Sequence, residues 1–365
     1  MADTSSEMSN EKLADKIVNT FFKEIKRERR LKYFRIALMT VFFAASMLVY
    51  VVFNSGSPLN SMSASQQTYR VIRPSEDVPV SSDAKLATIA VLPIRGTIDG
   101  DMLGESSSPN MVAKVRNALK AIEGEKNKNL AALVLYIDSP GGTVTASDEL
   151  YRMILEWKQK HKVQVVAYFH AVAASGGYYI AQSADEIIAD ETAMTGSIGV
   201  IMSALNFTEL ARKVGVTSEV IKSGEFKDIG SSFRAMTPQE RQILQAIIGE
   251  SYERFLSVIV EGRKGLLTKD EIRKLADGRI WSGKQAKALK LVDASGTFDE
   301  LLMYETKRVM KERSELVGAK AVVYSIKEDS FLGGIFSKLS FSASIFPIDE
   351  RMRRPQLMYL WLGGL

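Results

Sequence analysis

The sequence predicts an α/β protein with a largely parallel sheet, followed by a helical segment and preceded by one membrane-spanning helix. Three observations support this fold class. Short runs of Val, Ile, Leu and aromatic residues alternate with helical segments from Leu86 onward, glycine-rich turns follow two of these runs, and one long N-terminal stretch carries no charge. Alternating β and α units are typical of parallel sheets with crossover helices. The length of 365 residues allows two or three domains.

The uncharged stretch at residues 36–53 reads IALMTVFFAASMLVYVVF. Eighteen apolar residues are about the length that a helix needs to cross a hydrocarbon core, and a cleaved signal peptide has a shorter apolar region. Residues 23–35 carry seven basic and two acidic side chains and account for the whole net charge of +5. Because basic flanks remain cytoplasmic, we expect a single-pass protein of the inner (cytoplasmic) membrane, with a cytoplasmic tail at 1–35 and a periplasmic or extracytoplasmic body.

Composition excludes several kinds of site. The chain has no cysteine, which excludes disulfides, a thiol nucleophile and cysteine-ligated metals. It has two histidines and no H-E-x-x-H motif, so the sequence indicates neither a metal site nor a cofactor. The charges outside residues 23–35 balance, which argues against a nucleic-acid partner.

The elements of the body follow from local pattern. Residues 54–84 are rich in Ser, Asn, Gln and Pro, which is typical of a polar tether. The domain at residues 85–325 contains apolar runs that predict strands buried on both faces, at 86–94, 130–137, 163–169, 186–189 and 218–221. Helices are predicted between the first three runs, at 111–122 and 146–160.

The chain becomes helical after about residue 225. Capping boxes at 237–240, 268–271 and 282–285 predict the starts of three helices, the first with proline at its first position and extending to about residue 260. The C-terminal extension at 326–365 is expected to be partly irregular. Its apolar end at 354–361 is strand-like, so we expect it to dock as an extended peptide on its own or a neighbouring protomer, or to pack at a subunit interface.

Two glycine-containing turns directly follow predicted buried strands and precede predicted helices. They are DSPGG at 138–142 and ASGGYY at 174–179. Reacting groups gather at the carboxyl ends of strands in open α/β sheets, so both turns are expected to face one crevice. Backbone N–H groups left uncovered by paired glycines can hold an anion or a developing oxyanion.

Ser175 is the candidate nucleophile because it lies where the second turn enters a helix. A hydroxyl needs a general base, and histidine is the usual one. His170 lies five residues earlier on an extended strand and should face the opposite side of the sheet, so we interpret it as structural. Ala173 occupies the first glycine position of the G-x-S-x-G elbow, so that motif is absent. If Ser175 reacts, lysine is the remaining base.

Five motifs, in order, resemble those of one known family: DSPGG, AVAASGGYYIA, TGSIGV, EVIKSGEFKDIGSSFRAMTPQER and ADGRIWSGKQAKALKLVD. From about residue 86 to 300 the chain is similar to the bacterial signal peptide peptidase A family in its short, single-repeat form. The resemblance implies a serine protease of the Clp/crotonase-like fold, a β-β-α spiral with a helical C-terminal extension. It also implies the roles of the site residues: Ser175 as nucleophile, Lys227 as general base, Ser197 as the hydroxyl that orients the lysine, and Gly176 with Gly141 or Gly142 as oxyanion donors.

The resemblance further implies a homo-oligomer in which adjacent protomers share the dyad. The expected substrates are remnant signal peptides and other short hydrophobic peptides, bound as an extended strand and cut through an acyl-enzyme. Membrane lipid would contact residues 36–53. A lysine has an ordinary pKa of about 10.4 and becomes a useful base only when burial lowers that pKa. Asp228 would oppose this change if it faced Lys227, so we expect it to point away or pair elsewhere.

Three alternatives remain. A crotonase-type acyl-CoA enzyme shares the fold, although an outward-facing body and the retained Ser175 and Lys227 argue against it. An inactive ring-forming membrane scaffold is the alternative from a different class. Residues 82–85 fit S-x-x-K of penicillin-recognising hydrolases, but they lie in the predicted tether rather than at a helix start.

Overall fold

The computed structural model describes residues 40, 68–72, 85–100, 110–124, 129–324 and 358–360. The predicted membrane stretch lies outside these residues except for residue 40, as do the predicted cytoplasmic tail and most of the tether and C-terminal extension. In the described part of the chain, no helix is both long and apolar enough to cross a membrane. The chain divides into two units, 1–63 and 64–365, and every element named below belongs to the second.

Strands and helices largely alternate along the second unit. The strands are β1 (Thr68–Ile72), β2 (Leu86–Arg95), β3 (Leu130–Ser139), β4 (Gly141–Thr143), β5 (Gln164–Ala174), β6 (Glu186–Ala189), β7 (Met194–Gly196), β8 (Ile280–Ser282), β9 (Ala294–Ser295), β10 (Gly318–Val323) and β11 (Met358–Leu360). The helices are α1 (Met111–Gly124), α2 (Val144–His161), α3 (Gly176–Ala181), α4 (Thr208–Lys213), α5 (Pro238–Gly262), α6 (Lys269–Leu275), α7 (Gly283–Ala288) and α8 (Phe298–Glu312).

A mixed sheet forms the centre of the described fold. Its strand order is β1-β10-β2-β3-β5-β6-β9, and β7 pairs with the end of β5 and with β8. Neighbours from β10 to β9 are parallel, whereas β1 is an antiparallel edge strand and β8 runs antiparallel to β7. The predicted α/β class is confirmed, together with the predicted strands at 86–94, 130–137, 163–169 and 186–189.

Both faces of the sheet are buried, which explains why its strands are almost continuously apolar. On β2, Leu92 and Ile94 contribute to the apolar cluster that also contains α1, α2, α3 and α5. The alternate residues Ile89 and Val91 belong to a second cluster with α8. Because successive strand residues point to opposite faces of the sheet, one apolar run contributes side chains to both clusters. Burial of each such side chain stabilises the fold by about 1.5–3 kcal/mol.

Helix starts agree with the sequence. The side chains of Thr237, Thr268 and Ser282 each accept a hydrogen bond from the backbone N–H three residues later. The side chain of that later residue accepts one in return from the backbone N–H of the Thr or Ser, which completes a capping box. A fourth box, formed by Thr297 and Glu300, opens α8 and is absent from the sequence-based predictions.

The predicted strand at 218–221 is wrong. These residues form no strand and are exposed, and the side chain of Ile221 is fully exposed. Strand propensity expresses packing against neighbours, and no strand of the described residues lies beside this run. Conversely, β10 was missed, although it lies between β1 and β2 and runs parallel to β2. Residues 68–72, within the predicted tether, form β1.

The C-terminal strand β11 pairs antiparallel with β4, with Met358 opposite Thr143, Tyr359 opposite Gly142 and Leu360 opposite Gly141. The predicted docking of the tail as an extended segment is confirmed for these three residues. Since β4 contains both glycines of the DSPGG turn, the tail lies against one of the two candidate loops.

Candidate active site

Ser175 lies in a sharp turn between β5 and α3. Its φ of 53° and ψ of −112° are unusual for a residue with a side chain and cost about 1–3 kcal/mol, which the surrounding structure must offset. Its backbone N–H donates to Gly196 O at 2.8 Å, and its carbonyl oxygen accepts from Tyr179 N at 2.9 Å. A strained strand-to-helix turn of this kind presents the hydroxyl of a nucleophile.

The Ser175 hydroxyl is buried without a hydrogen-bond partner in the part of the chain that the structure describes. The residue is only 1% exposed, and its Oγ has no hydrogen-bond partner among the described residues. A buried hydroxyl without a partner costs about 1–3 kcal/mol, which a structural serine would avoid.

The two glycine turns lie side by side, as the sequence predicted. A Cβ atom on Gly177 would lie 3.0 Å from the carbonyl oxygen of Ser139, so α3 approaches the end of β3 closely. Gly176 is the first residue of α3, where a helix leaves its backbone N–H without an intrahelical acceptor. A backbone N–H of this kind can donate a hydrogen bond to an anion.

The structure distinguishes Gly141 from Gly142. Gly141 N donates to Ser139 Oγ at 3.1 Å, and its carbonyl oxygen accepts from Ile98 N. Thr143 N donates to Ile98 O, so residues 141 and 143 both bond to Ile98. Because successive backbone N–H groups of a strand point to opposite edges, the N–H of Gly142 faces the edge of β4 away from Ile98. That is the edge where β11 pairs. Gly142 is therefore the glycine of this turn whose N–H faces an incoming strand.

Ser197 lies beside the nucleophile turn. The register of β5 and β7 pairs Ala174 with Gly196, so Ser175 and Ser197 follow at equivalent points of adjacent strands. Ser197 has a left-handed φ of 49°, is almost buried, and donates its backbone N–H to Arg279 O at 2.8 Å. Two residues with rare backbone conformations thus lie next to each other.

Lys227 lies in the loop between α4 and α5. Its backbone N–H donates to Gly224 O at 3.2 Å, and its side chain is exposed. Within the described part of this single chain, no hydrogen bond or ion pair joins the Lys227 ammonium to Ser175, Ser197 or any other group. The described part of one chain therefore places Ser175, Ser197, Gly176 and the DSPGG turn near one another, and no described lysine or histidine is hydrogen-bonded to Ser175 Oγ.

Asp228 pairs away from Lys227, which confirms the expectation from the sequence. Its carboxylate contacts Lys222 Nζ at 2.6 Å and Arg234 Nε at 2.8 Å. These hydrogen bonds, first that of Arg234 and then that of Lys222, hold the pKa of Asp228 far below its usual range. The sequence alone did not identify Lys222 and Arg234 as the partners of Asp228, or Glu240 as the second partner of Arg234. Alternating charges at a constant spacing of six residues were the available signal.

Neither histidine is bonded to Ser175. The His170 ring lies against the Tyr136 ring with centroids 5.2 Å apart, and His161 stacks on Trp157 and contacts Glu123. Among the described residues there is also no group of three or more His, Asp or Glu side chains that could hold a metal ion.

Known protein families match the part of the chain that contains these residues. Residues 157–312 match the family described as Peptidase family S49, and residues 101–198 match Clp protease. The chain is 45% identical over 182 residues to a putative protease of Synechocystis, which covers 50% of this chain and 64% of that protein. It is 35% identical over 255 residues to a putative signal peptide peptidase SppA of Enterococcus faecium, covering 66% of this chain and 71% of that protein.

A plant protein is also similar. The chain is 31% identical over 210 residues to the chloroplastic serine protease SPPA of Arabidopsis thaliana, covering 57% of this chain and 30% of that protein. The chain thus spans less than two thirds of the length of both the Synechocystis and the Arabidopsis relatives.

Proposed function

This chain belongs to peptidase family S49, the signal peptide peptidase A family of serine peptidases, and we propose that it cleaves hydrophobic peptides with a dyad of Ser175 and Lys227. The observation that carries the proposal is the Ser175 turn. A strained backbone, a buried hydroxyl without a partner and a helix start immediately after it occur at one residue. These are the features that a serine nucleophile requires.

The proposed reaction is acyl transfer. Ser175 Oγ attacks the carbonyl carbon of the scissile peptide while its proton passes to Lys227 Nζ. The oxyanion accepts hydrogen bonds from the N–H groups of Gly176 and Gly142. When the C–N bond breaks, the lysine returns the proton to the leaving amine. Water then attacks the acyl-enzyme as Lys227 takes one of its protons, and the lysine passes that proton to Ser175 Oγ when the ester bond breaks. Ser197 orients the lysine.

The base comes from a neighbouring protomer in this proposal. Lys227 has no partner in its own described chain, and the segment that carries it exposes large apolar side chains. They include Ile201, Leu205, Leu210, Val214, Val216, Val220, Ile221, Phe226 and Phe233. So many exposed large apolar residues within one segment of the chain are typical of protein interfaces. Association of a second copy would cover them and bury Lys227, and burial is what lowers the pKa of a lysine.

Substrates bind along the edge of β4. An extended peptide that adds to a strand edge gains main-chain hydrogen bonds irrespective of its sequence. The pairing of β11 with β4 supports this edge as the place where a peptide strand fits. A strand here would lie with its backbone beside Gly142. Remnant signal peptides and other short hydrophobic peptides are the substrate class that we propose.

We also propose that residues 36–53 anchor the chain in the inner membrane, with the N-terminus cytoplasmic and the peptidase domain outside the cytoplasm. The support is the sequence pattern of an uncharged stretch behind a basic flank. Such an anchor would keep the peptidase domain attached to the membrane in which signal peptides remain.

A complementation experiment tests this function. The full-length chain is purified in mild detergent and incubated with a quenched fluorescent hydrophobic peptide. We expect Ser175→Ala and Lys227→Ala to lose activity individually, whereas a mixed assembly of the two should recover part of it. Ser257→Ala and Lys311→Ala, which replace helical residues outside the proposed dyad, serve as matched controls and should keep full activity. A correctly assembled wild type without activity would instead favour the scaffold alternative.

A further inference from the structure

The loop that carries Lys227 contains a continuous row of ion pairs. Lys222 contacts Asp228, Asp228 contacts Arg234, and Arg234 contacts Glu240. The Lys222 ammonium also donates to the carbonyl oxygen of Glu225 at 2.7 Å. Two positive and two negative side chains therefore alternate. In sequence, the row starts before Lys227, at Lys222, and ends after it, at Glu240.

Arg234 holds the Asp228 carboxylate with one edge of its guanidinium, through Nε and Nη2. Arg234 Nε donates to Oδ2 at 2.8 Å and Nη2 donates to Oδ1 at 2.8 Å, and Nη2 also reaches the backbone carbonyl oxygen of Asp228 at 3.1 Å. A bidentate guanidinium–carboxylate pair fixes direction as well as distance. Both oxygens of Asp228 are thus occupied, although Asp228 is the immediate neighbour of Lys227.

The other edge of the Arg234 guanidinium contacts the first turn of α5. Its Nη1 donates to Glu240 Oε2 at 2.8 Å, and the side chain of Glu240 is only 2% exposed. Glu240 closes the capping box of α5 with Thr237. The hydrogen bond from Arg234 and, to a smaller extent, the one from the Thr237 backbone N–H lower the pKa of Glu240 to about 2. Arg234 therefore ties the Lys227 loop to the start of a long helix.

We propose that Arg234 is a positioning residue that keeps the Asp228 carboxylate away from the Lys227 ammonium, so that Lys227 can act as a neutral base. A carboxylate within about 4–6 Å of an ammonium favours the charged lysine. While Arg234 and Lys222 bind this carboxylate, it does not stabilise the charged form of Lys227 and so does not oppose loss of the lysine's proton. This inference rests on the proposed function, in which Lys227 is the base.

Charged side chains also lie on elements before and after the loop in the chain. On α4, Glu209 and Arg212 pair with each other at 2.7 Å, and after α6, Asp277 pairs with Arg279. The remaining charged side chains of the loop and of the first turn of α5 are Glu219, Glu225 and Arg241. Asp228 is the acidic residue adjacent to Lys227 in sequence, so its release would have the largest effect.

The test is the pH dependence of kcat/KM for the full-length chain with the fluorescent hydrophobic peptide. Its acid limb reports the free enzyme's base. We expect Arg234→Met to move this limb to higher pH by about one unit, which corresponds to about tenfold lower activity below the limb. The double variant Arg234→Met with Asp228→Asn should return the limb to its wild-type position. Asp228→Asn alone should leave the limb unchanged.

Two further variants separate chemistry from folding. Lys222→Met removes one contact of Asp228 without touching Glu240, so it should move the limb in the same direction by less, even if Arg234→Met fails to fold. Arg116→Met is the matched control, since it breaks an arginine–carboxylate pair of 2.6 Å between α1 and α2, and it should leave the limb in place.

Two outcomes would overturn the inference. One is an unchanged acid limb in folded Arg234→Met or in Lys222→Met, because Arg234 would then only hold the loop. The other is a displaced limb that persists when Asp228→Asn is added to Arg234→Met. Failure of the proposed function is a different result, since Lys227→Ala would then retain wild-type activity.

Discussion

Replacing Gly142 with alanine tests the geometry of the DSPGG turn. A Cβ atom on Gly142 would lie 1.8 Å from the carbonyl oxygen of Ile98 and 2.5 Å from its carbonyl carbon. Both are backbone atoms, so no rotamer change can relieve the contact. Cβ contacts under 3.0 Å are essentially never found, and the turn therefore has to move by roughly 1 Å or more, which is large in a close-packed interior.

The cost of that displacement follows from the proposed role of the Gly142 N–H. A misplacement of about 1 Å at a reacting centre costs about 10²-fold in rate. Loss of one oxyanion donor costs about 10²–10³-fold, or about 2.7–4 kcal/mol of transition-state stabilisation. We therefore expect kcat/KM of Gly142→Ala to be about 10²–10³-fold lower than that of the wild type.

The assay is the initial rate of hydrophobic peptide cleavage by the full-length chain, with assembly checked by size-exclusion chromatography. Gly249→Ala is the matched control, because a Cβ atom there meets nothing within 4 Å. Its position inside α5 predicts full activity and a stability gain of about 0.5–1 kcal/mol. If Gly142→Ala folds and assembles normally and keeps more than a tenth of wild-type kcat/KM, the proposed oxyanion geometry is wrong.

Three other changes probe the β7 turn, the tail and the cap of α5. Gly196→Ala would place a Cβ atom 2.7 Å from Trp281 Cδ1 at a φ of +89°, so we expect at least about tenfold lower kcat/KM and a stability loss of about 1–3 kcal/mol, measured by kinetics and urea unfolding. Deleting residues 355–365 should lower KM, because β11 then no longer occupies the β4 edge; unchanged KM and assembly would exclude a role for the tail. Because the folded pKa of Glu240 is about 2, below its ordinary 4.5, its stabilising effect is present above the ordinary pKa and lost as pH falls toward 2. Urea midpoints between pH 5 and 2 should therefore fall less steeply in Glu240→Gln than in wild type.

Much of the fold was predictable because the central strands are buried on both faces. Such strands, like those at 86–94 and 130–137, appear in the sequence as continuous apolar runs between helical segments. The run at 218–221 has the same local composition, yet no strand of the described residues pairs with it. Local propensity cannot reveal that difference, since pairing depends on which distant segments meet. For the same reason β10, which follows all the helices of the described chain, was not predicted beside β2.

The candidate site shows the same division between local and long-range information. The turn at Ser175 was predictable because a buried run, a serine and two glycines are adjacent in sequence. The distinction between Gly141 and Gly142 depends on hydrogen bonds to Ile98, more than forty residues away. The contacts of Arg234 depend on how one loop folds back on itself. Only an unusual regular spacing of charges hinted at that arrangement.

The most direct test of the proposed mechanism is covalent labelling of the nucleophile. The full-length chain is treated with a serine-reactive fluorophosphonate, and the adduct is located by mass spectrometry. We predict one adduct per chain, on Ser175, with labelling abolished by Ser175→Ala and strongly slowed by Lys227→Ala. An adduct on a different serine, or equal labelling rates in wild type and Lys227→Ala, would contradict the Ser175–Lys227 dyad.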